Sequence, residues 1–191
     1  IGFLATFFST ILGTMIAFAI GRHKFKGRSS ANLLIFLPMA TPEIVLGASL
    51  LSLFLVFKIN PGFWPTVIAH VMFCISFVVV TVKARIASLD PRLEQAAMDL
   101  YANEFETFRR VTLPLVAPGI AAAALLAFSL SFDDFIITNF NSGTLITFPK
   151  FVYISAARGI PAQANVIGSA MFFLALAIVI AIQLVNRKKA R

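Results

Sequence analysis

Cysteine is almost missing from this chain of 191 residues: Cys74 stands alone. One thiol excludes intramolecular disulfides and any cysteine-built metal framework. The two histidines, His23 and His70, lie far apart in sequence and form no ligand pair. Charge is scarce as well, at 13% of residues, where a soluble domain carries about 25%. That little charge cannot cover a globular surface, and it excludes both a soluble globule and a disordered chain. No Gly-x-x-x-x-Gly-Lys-Ser/Thr segment occurs, so the chain does not cradle ATP phosphates by that route. Outside the apolar runs there is no nucleophile–base set, paired carboxylates or metal cluster. The expectation is a non-catalytic chain with no cofactor of its own.

Apolar sequence fills the space. Hydrophobic residues make up 59% of the chain, and the mean hydropathy is +0.92. Five runs approach the ~20 residues that span a bilayer: 1–20, 31–57, 66–82, 115–139 and 166–185. They are continuous rather than alternating, which argues for helices over a β-barrel. The fold class expected is an all-α membrane protein with five transmembrane helices, forming one transmembrane domain over 1–191. Ile1 opens in apolar sequence with no basic leader, so the first run does not read as a signal peptide. It reads as an N-terminally truncated chain, with a sixth span upstream.

Charge orients these spans. Thirteen of the sixteen Lys and Arg fall on one side: Arg22, Lys24, Lys26 and Arg28; Lys83, Arg85, Arg92, Arg109 and Arg110; and Arg187, Lys188, Lys189 and Arg191. Only Lys58, Lys150 and Arg158 fall on the other. The positive-inside rule makes the first side cytoplasmic and places the C-terminus inside. The net charge of +8 is thus topological and gives no case for nucleic acid.

The longest cytoplasmic connection, 83–114, is patterned. Asp90-Pro91 has the form of an N-cap followed by Pro at N1. Asn103 and Glu106 have capping-box spacing. Two short helices are expected, about 91–101 and 104–112, joined by a turn at Tyr101–Asn103. The segment is either a solvated hairpin or a docking surface.

The run Gln95-Ala96-Ala97, three residues, Tyr101, nine residues, Val111-Thr112-Leu113-Pro114 resembles the EAA loop of bacterial ABC-importer permeases. That family's pattern is Glu-Ala-Ala, three residues, Gly, nine residues, Ile-x-Leu-Pro. Ala96, Ala97, Leu113 and Pro114 match outright; Gln95 stands for Glu, Tyr101 for Gly and Val111 for Ile. The resemblance covers essentially the whole chain and implies the type I ABC-importer permease fold. It implies that the loop, with Asp99, Leu100 and Glu104, docks a cytoplasmic ATPase as a coupling helix. It further implies a homologous second permease, two ATPase copies that bind ATP and Mg, an external substrate-binding protein, and a bacterial inner membrane. Gly at the turn tolerates φ > 0 freely, whereas Tyr101 there would cost about 1–2 kcal/mol. Either the turn is built differently or the ring packs into the partner.

Three carboxylates lie within the spans: Glu43, Asp133 and Asp134. Each costs about 2.5–3.5 kcal/mol on insertion scales, so such groups face a pore or a partner. No Lys or Arg stands inside a span to pair them. A path for a polycation would use that charge; a proton relay, a protonated carboxyl or intersubunit salt bridges are the alternatives. The stretches 39–45 and 131–135 resemble most the spermidine/putrescine permeases, in particular the second of their paired membrane subunits. A rise of about 1.5 Å per residue puts Glu43 near the midplane and Asp134 near the outer mouth. Adjacent helical positions point about 100° apart, so one Asp can line the path while the other binds a neighbouring helix. Pro38 and Pro42 should kink the second span before Glu43. Trp64 and Tyr153 fit an interfacial aromatic belt, or stacking on an ammonium group. His70 and Cys74 read as buried packing residues, and Gly47-Ala48-Ser49 as close-packing small residues. A permease for another solute such as a metal ion, or an ion-coupled secondary transporter, stays open.

Overall fold

The computed structural model describes residues 1–23, 25–156, 159 and 162–189. Lys24, Arg158 and Arg191 of the charge count lie outside them. Every regular element among the described residues is helical, as the continuous apolar runs require. The chain forms two compact units, Ile1–Leu145 and Ile146–Arg191.

In the first unit, three helices are long and apolar enough to cross a membrane. α1 (Gly2–Arg22) and α4 (Phe63–Ala87) are two of them. α7 (Leu113–Asp133) continues from the shorter elements before it into one 30-residue apolar helix, Glu104–Asp133. α4 is central, burying Ala69, Phe73, Cys74, Val78, Val79 and Val82. Small residues allow its neighbours to approach closely: a Cβ on Gly13 of α1 would sit 2.7 Å from Val78 Cγ1, and Ala123 and Ala127 of α7 are fully buried. The Cys74 thiol lies 3.5 Å from the Ala127 carbonyl oxygen, so Cys74 is a packing residue between α4 and α7.

The second apolar run bends just before Glu43, where its prolines place the kink, and there the helix is interrupted. It breaks into α2 (Arg28–Ala40) and α3 (Glu43–Val56), whose axes differ by 107°. The cause is local. Pro42 lacks the N–H that would continue α2, and it drives the preceding Thr41 to an extended conformation, φ −82° and ψ 131°, as residues before proline prefer. The Thr41 hydroxyl donates to the Leu37 carbonyl at 2.7 Å, capping the end of α2. A straight-rise depth for Glu43 therefore does not hold beyond Ala40.

The fourth run breaks too. α7 stops at Asp133, Asp134 is extended, and α8 (Ile136–Asn141) begins after Phe135. α8 packs on α3 through Gly47, where a Cβ would meet Phe140 Cδ2 at 3.0 Å. Asn141 Nδ2 donates to the Gly47 carbonyl at 3.3 Å.

Between α4 and α7 lie α5 (Arg92–Asp99), α6 (Glu104–Thr107) and a π turn over Phe108–Thr112. In the second unit, α9 (Phe148–Ala156) precedes α10 (Ala162–Lys189), which contains the fifth apolar run. The side chains of α10 beyond Ala177 lie outside the described residues.

Candidate functional site

The segment between α4 and α7 is built from local hydrogen bonds. Asp90 Oδ1 accepts from the Arg92 N–H at 2.9 Å and starts α5. Asn103 Oδ1 accepts from the Glu106 N–H at 2.8 Å, and Glu106 Oε2 from the Asn103 N–H at 3.2 Å. This reciprocal pair is the capping box expected at α6.

The turn between the two helices is a Schellman motif. Ala102 N–H donates to the Ala97 carbonyl at 3.2 Å and Tyr101 N–H to the Met98 carbonyl at 2.9 Å, with Tyr101 at the left-handed position, φ 63°. Tyr101 thus makes the turn that glycine favours, and its ring is 98% exposed. Leu93, Met98, Leu100 and Phe105 are exposed beside it. So are Gln95, Ala96, Asp99 and Glu104, while Ala97 and Leu113 are half-buried and Pro114 is exposed. These exposed side chains form one apolar patch on the segment, the kind of surface that marks interaction sites in general.

Polar contacts tie this segment together and to the helices beside it. Glu94 of α5 pairs with Arg22 in the last turn of α1 and accepts from the Thr112 hydroxyl in the π turn. At the end of α4, Arg85 Nε and Nη2 donate to the Leu115 carbonyl at 3.0 and 2.8 Å. Gly119 makes room for that side chain, since a Cβ there would lie 2.5 Å from Arg85 Cγ. The π turn closes by a Leu113 N–H bond to the Phe108 carbonyl. Its wider ring eases the clash between Pro114 and the carbonyl four residues back.

The acidic residues part company. Asp134 is buried. Its Oδ2 accepts from the Thr138 N–H at 2.9 Å and the Thr138 hydroxyl at 3.1 Å, and its Oδ1 from the Ile137 N–H at 3.2 Å. It is the cap of α8. His70 of α4 stands 3.4 Å from Asp134 Oδ2, and its two ring nitrogens share hydrogen bonds with Ser131 Oγ at 2.7 Å and Thr138 Oγ1 at 2.9 Å. His70 is therefore more than packing: it clamps the break between α7 and α8. Asp134 is not a free carboxylate at a mouth.

Asp133 is exposed and has no side-chain partner among the described residues. Glu43 is likewise exposed, in the first turn of α3, where a helix N-terminus favours negative charge. Glu43 lies one turn before Gly47, where α3 meets α8, and Asp133 is the last residue of α7 before the break that leads to α8. Trp64 begins α4, 61% exposed and edge-on to Phe63. Tyr153 is exposed on α9 of the second unit.

Residues 9–190 match the family described as binding-protein-dependent transport system inner membrane component. The chain belongs to this permease family. The spermidine/putrescine transport system permease protein PotC of Haemophilus influenzae is 36% identical over 189 residues, covering 98% of this chain and 74% of that protein. PotC of Escherichia coli is 38% identical over 190 residues, covering 99% and 72%. The putrescine transport system permease protein PotI of Escherichia coli is 36% identical over 170 residues, covering 84% and 60%.

Two features of this permease escaped the sequence reading. Glu94, beside Gln95, carries no motif signal of its own. The His70–Asp134 clamp joins residues of α4 and the α7–α8 break that lie far apart in sequence, so no local pattern marks it.

Proposed function

We propose that the chain is the permease subunit through which an ATP-driven importer moves a polyamine, spermidine or putrescine, into a bacterial cell. The names of its relatives support the cargo class. The observation that carries the reading in this chain is the exposed pair Glu43 and Asp133, two carboxylates without a cationic partner among the described residues. A polycation supplies the missing partners. Asp133 meets the cargo first and Glu43 passes it on, with Trp64 offering a ring face to ammonium groups.

In this proposal the segment 83–114 and the C-terminus are cytoplasmic. Gln95, Ala96, Ala97, Leu100 and Tyr101 seat on one of two ATPase copies, which bind ATP and Mg. Closure of the ATPase dimer pushes on α5. Glu94 and the π turn pass that push to α1 and α7, and α7 ends at Asp133. A homologous second permease completes the path, and an external binding protein delivers the cargo.

The test is uptake of labelled spermidine and putrescine by the complete importer in proteoliposomes, with and without ATP. Uptake that requires ATP and the binding protein is expected. Uptake driven by an ion gradient without ATP would overturn the proposal. Ala96→Arg or Ala97→Arg should also release the ATPase on co-purification while the spans stay folded.

A further inference from the structure

Three cations from three helices line one cavity at the end of the first unit that carries the segment between α4 and α7. Arg22 comes from the last turn of α1, Arg28 from the start of α2 and Lys83 from α4. The cavity measures about 240 Å³, and Ile86, Leu89 and Pro91 supply apolar lining. Among the described residues no carboxylate lines it. Glu94 pairs with Arg22 from outside the lining and offsets one of the three charges. Lys83 donates one proton to Asn32 Oδ1 at 2.5 Å, leaving two of its three donors. The Arg28 side chain makes no ion pair among the described residues. Arg28 and Lys83 are both half-buried, so they lose hydration where they also repel each other. One anion with several acceptor oxygens would satisfy both, and phosphate answers that description best.

We propose that this cavity binds the phosphate of an anionic phosphoryl group, independently of which cargo the permease moves. The surroundings favour a membrane lipid as its source. α1 and α4, whose ends form the cavity, are both long enough to span a bilayer. Just beyond Arg28, α2 exposes Leu33, Leu34, Phe36 and Leu37, an apolar track along which acyl chains can lie. Basic pockets between spans are suited to anionic headgroups. Free inorganic phosphate shares the chemistry and lacks the tail.

The test uses the intact importer complex in nanodiscs of phosphatidylglycerol and phosphatidylcholine. Lipid retained through delipidation is counted by native mass spectrometry. The wild-type complex should keep phosphatidylglycerol over phosphatidylcholine, and the double substitution Arg28→Gln with Lys83→Gln should weaken that retention about thirtyfold. Arg28→Lys, which keeps the charge, should retain it and guards against a folding defect. If thermal protection by millimolar inorganic phosphate vanishes in the double variant without any lipid preference, the phosphate site stands and its source is soluble. Equal lipid retention in wild type and double variant, with no protection by phosphate in either, would overturn the proposal.

Discussion

Tyr101 occupies the left-handed position of its turn at φ 63°, a conformation that disfavours a side chain by about 1–2 kcal/mol. Glycine would remove that strain, although its freer unfolded chain returns about 0.5–1 kcal/mol. Tyr101→Gly should therefore stabilise the segment by about 0.5–1 kcal/mol, read as slower amide exchange across 97–106. If the exposed ring seats on the ATPase, the same variant lowers transport-stimulated hydrolysis while exchange still slows. Faster exchange would show that the turn is not strained. Asp134 makes the opposite case. It holds two backbone N–H groups and a hydroxyl beside His70, so Asp134→Ala removes a buried cap and strands its donors, at about 2–4 kcal/mol. Thermal unfolding of the purified complex should shift down accordingly. Asp133→Asn should leave the unfolding temperature in place, and equal shifts in both variants would contradict the division of roles between them.

The segment between α4 and α7 was the most legible element, because caps and turns are made of hydrogen bonds between residues a few positions apart. Asp90-Pro91 and Asn103–Glu106 announce their helices in the sequence, and the structure places α5 and α6 accordingly. The breaks in the second and fourth runs were less legible. Pro42 marks a kink, but its size, 107°, depends on how α3 is held by α8. The break at Asp134 depends on His70, 64 positions earlier, and on a helix that only packing brings near; no local pattern encodes that. Glu94 was invisible for the same reason, since Arg22 and Thr112 meet it only in the folded chain. It joins three elements and does not add much stability, because a part-exposed pair is worth about 0–1 kcal/mol. Glu94→Gln keeps an acceptor for Thr112 and loses the pairing with Arg22. It should leave ATPase binding intact and reduce uptake per ATP hydrolysed several-fold, measured as the ratio of the two rates in proteoliposomes. An unchanged ratio would show that the tie does not transmit the push.

At the scale of the molecule, negative charge is confined to two zones: five carboxylates in the segment 83–114 and three in the apolar runs. Of those three, the fold withdraws Asp134 into a structural clamp and leaves Glu43 and Asp133 exposed. Those two carry the account of cargo selection. The decisive measurement is ATP-driven spermidine uptake by the reconstituted importer bearing Glu43→Gln or Asp133→Asn, each of which keeps side-chain volume and removes the charge. Losing the partner of a desolvated ammonium costs about 2–5 kcal/mol, with the better hydrated position at the low end. The account predicts uptake reduced at least about tenfold in both variants, more in Glu43→Gln, with normal expression and unaltered affinity of the binding protein for spermidine. Wild-type uptake rates in both variants would contradict it.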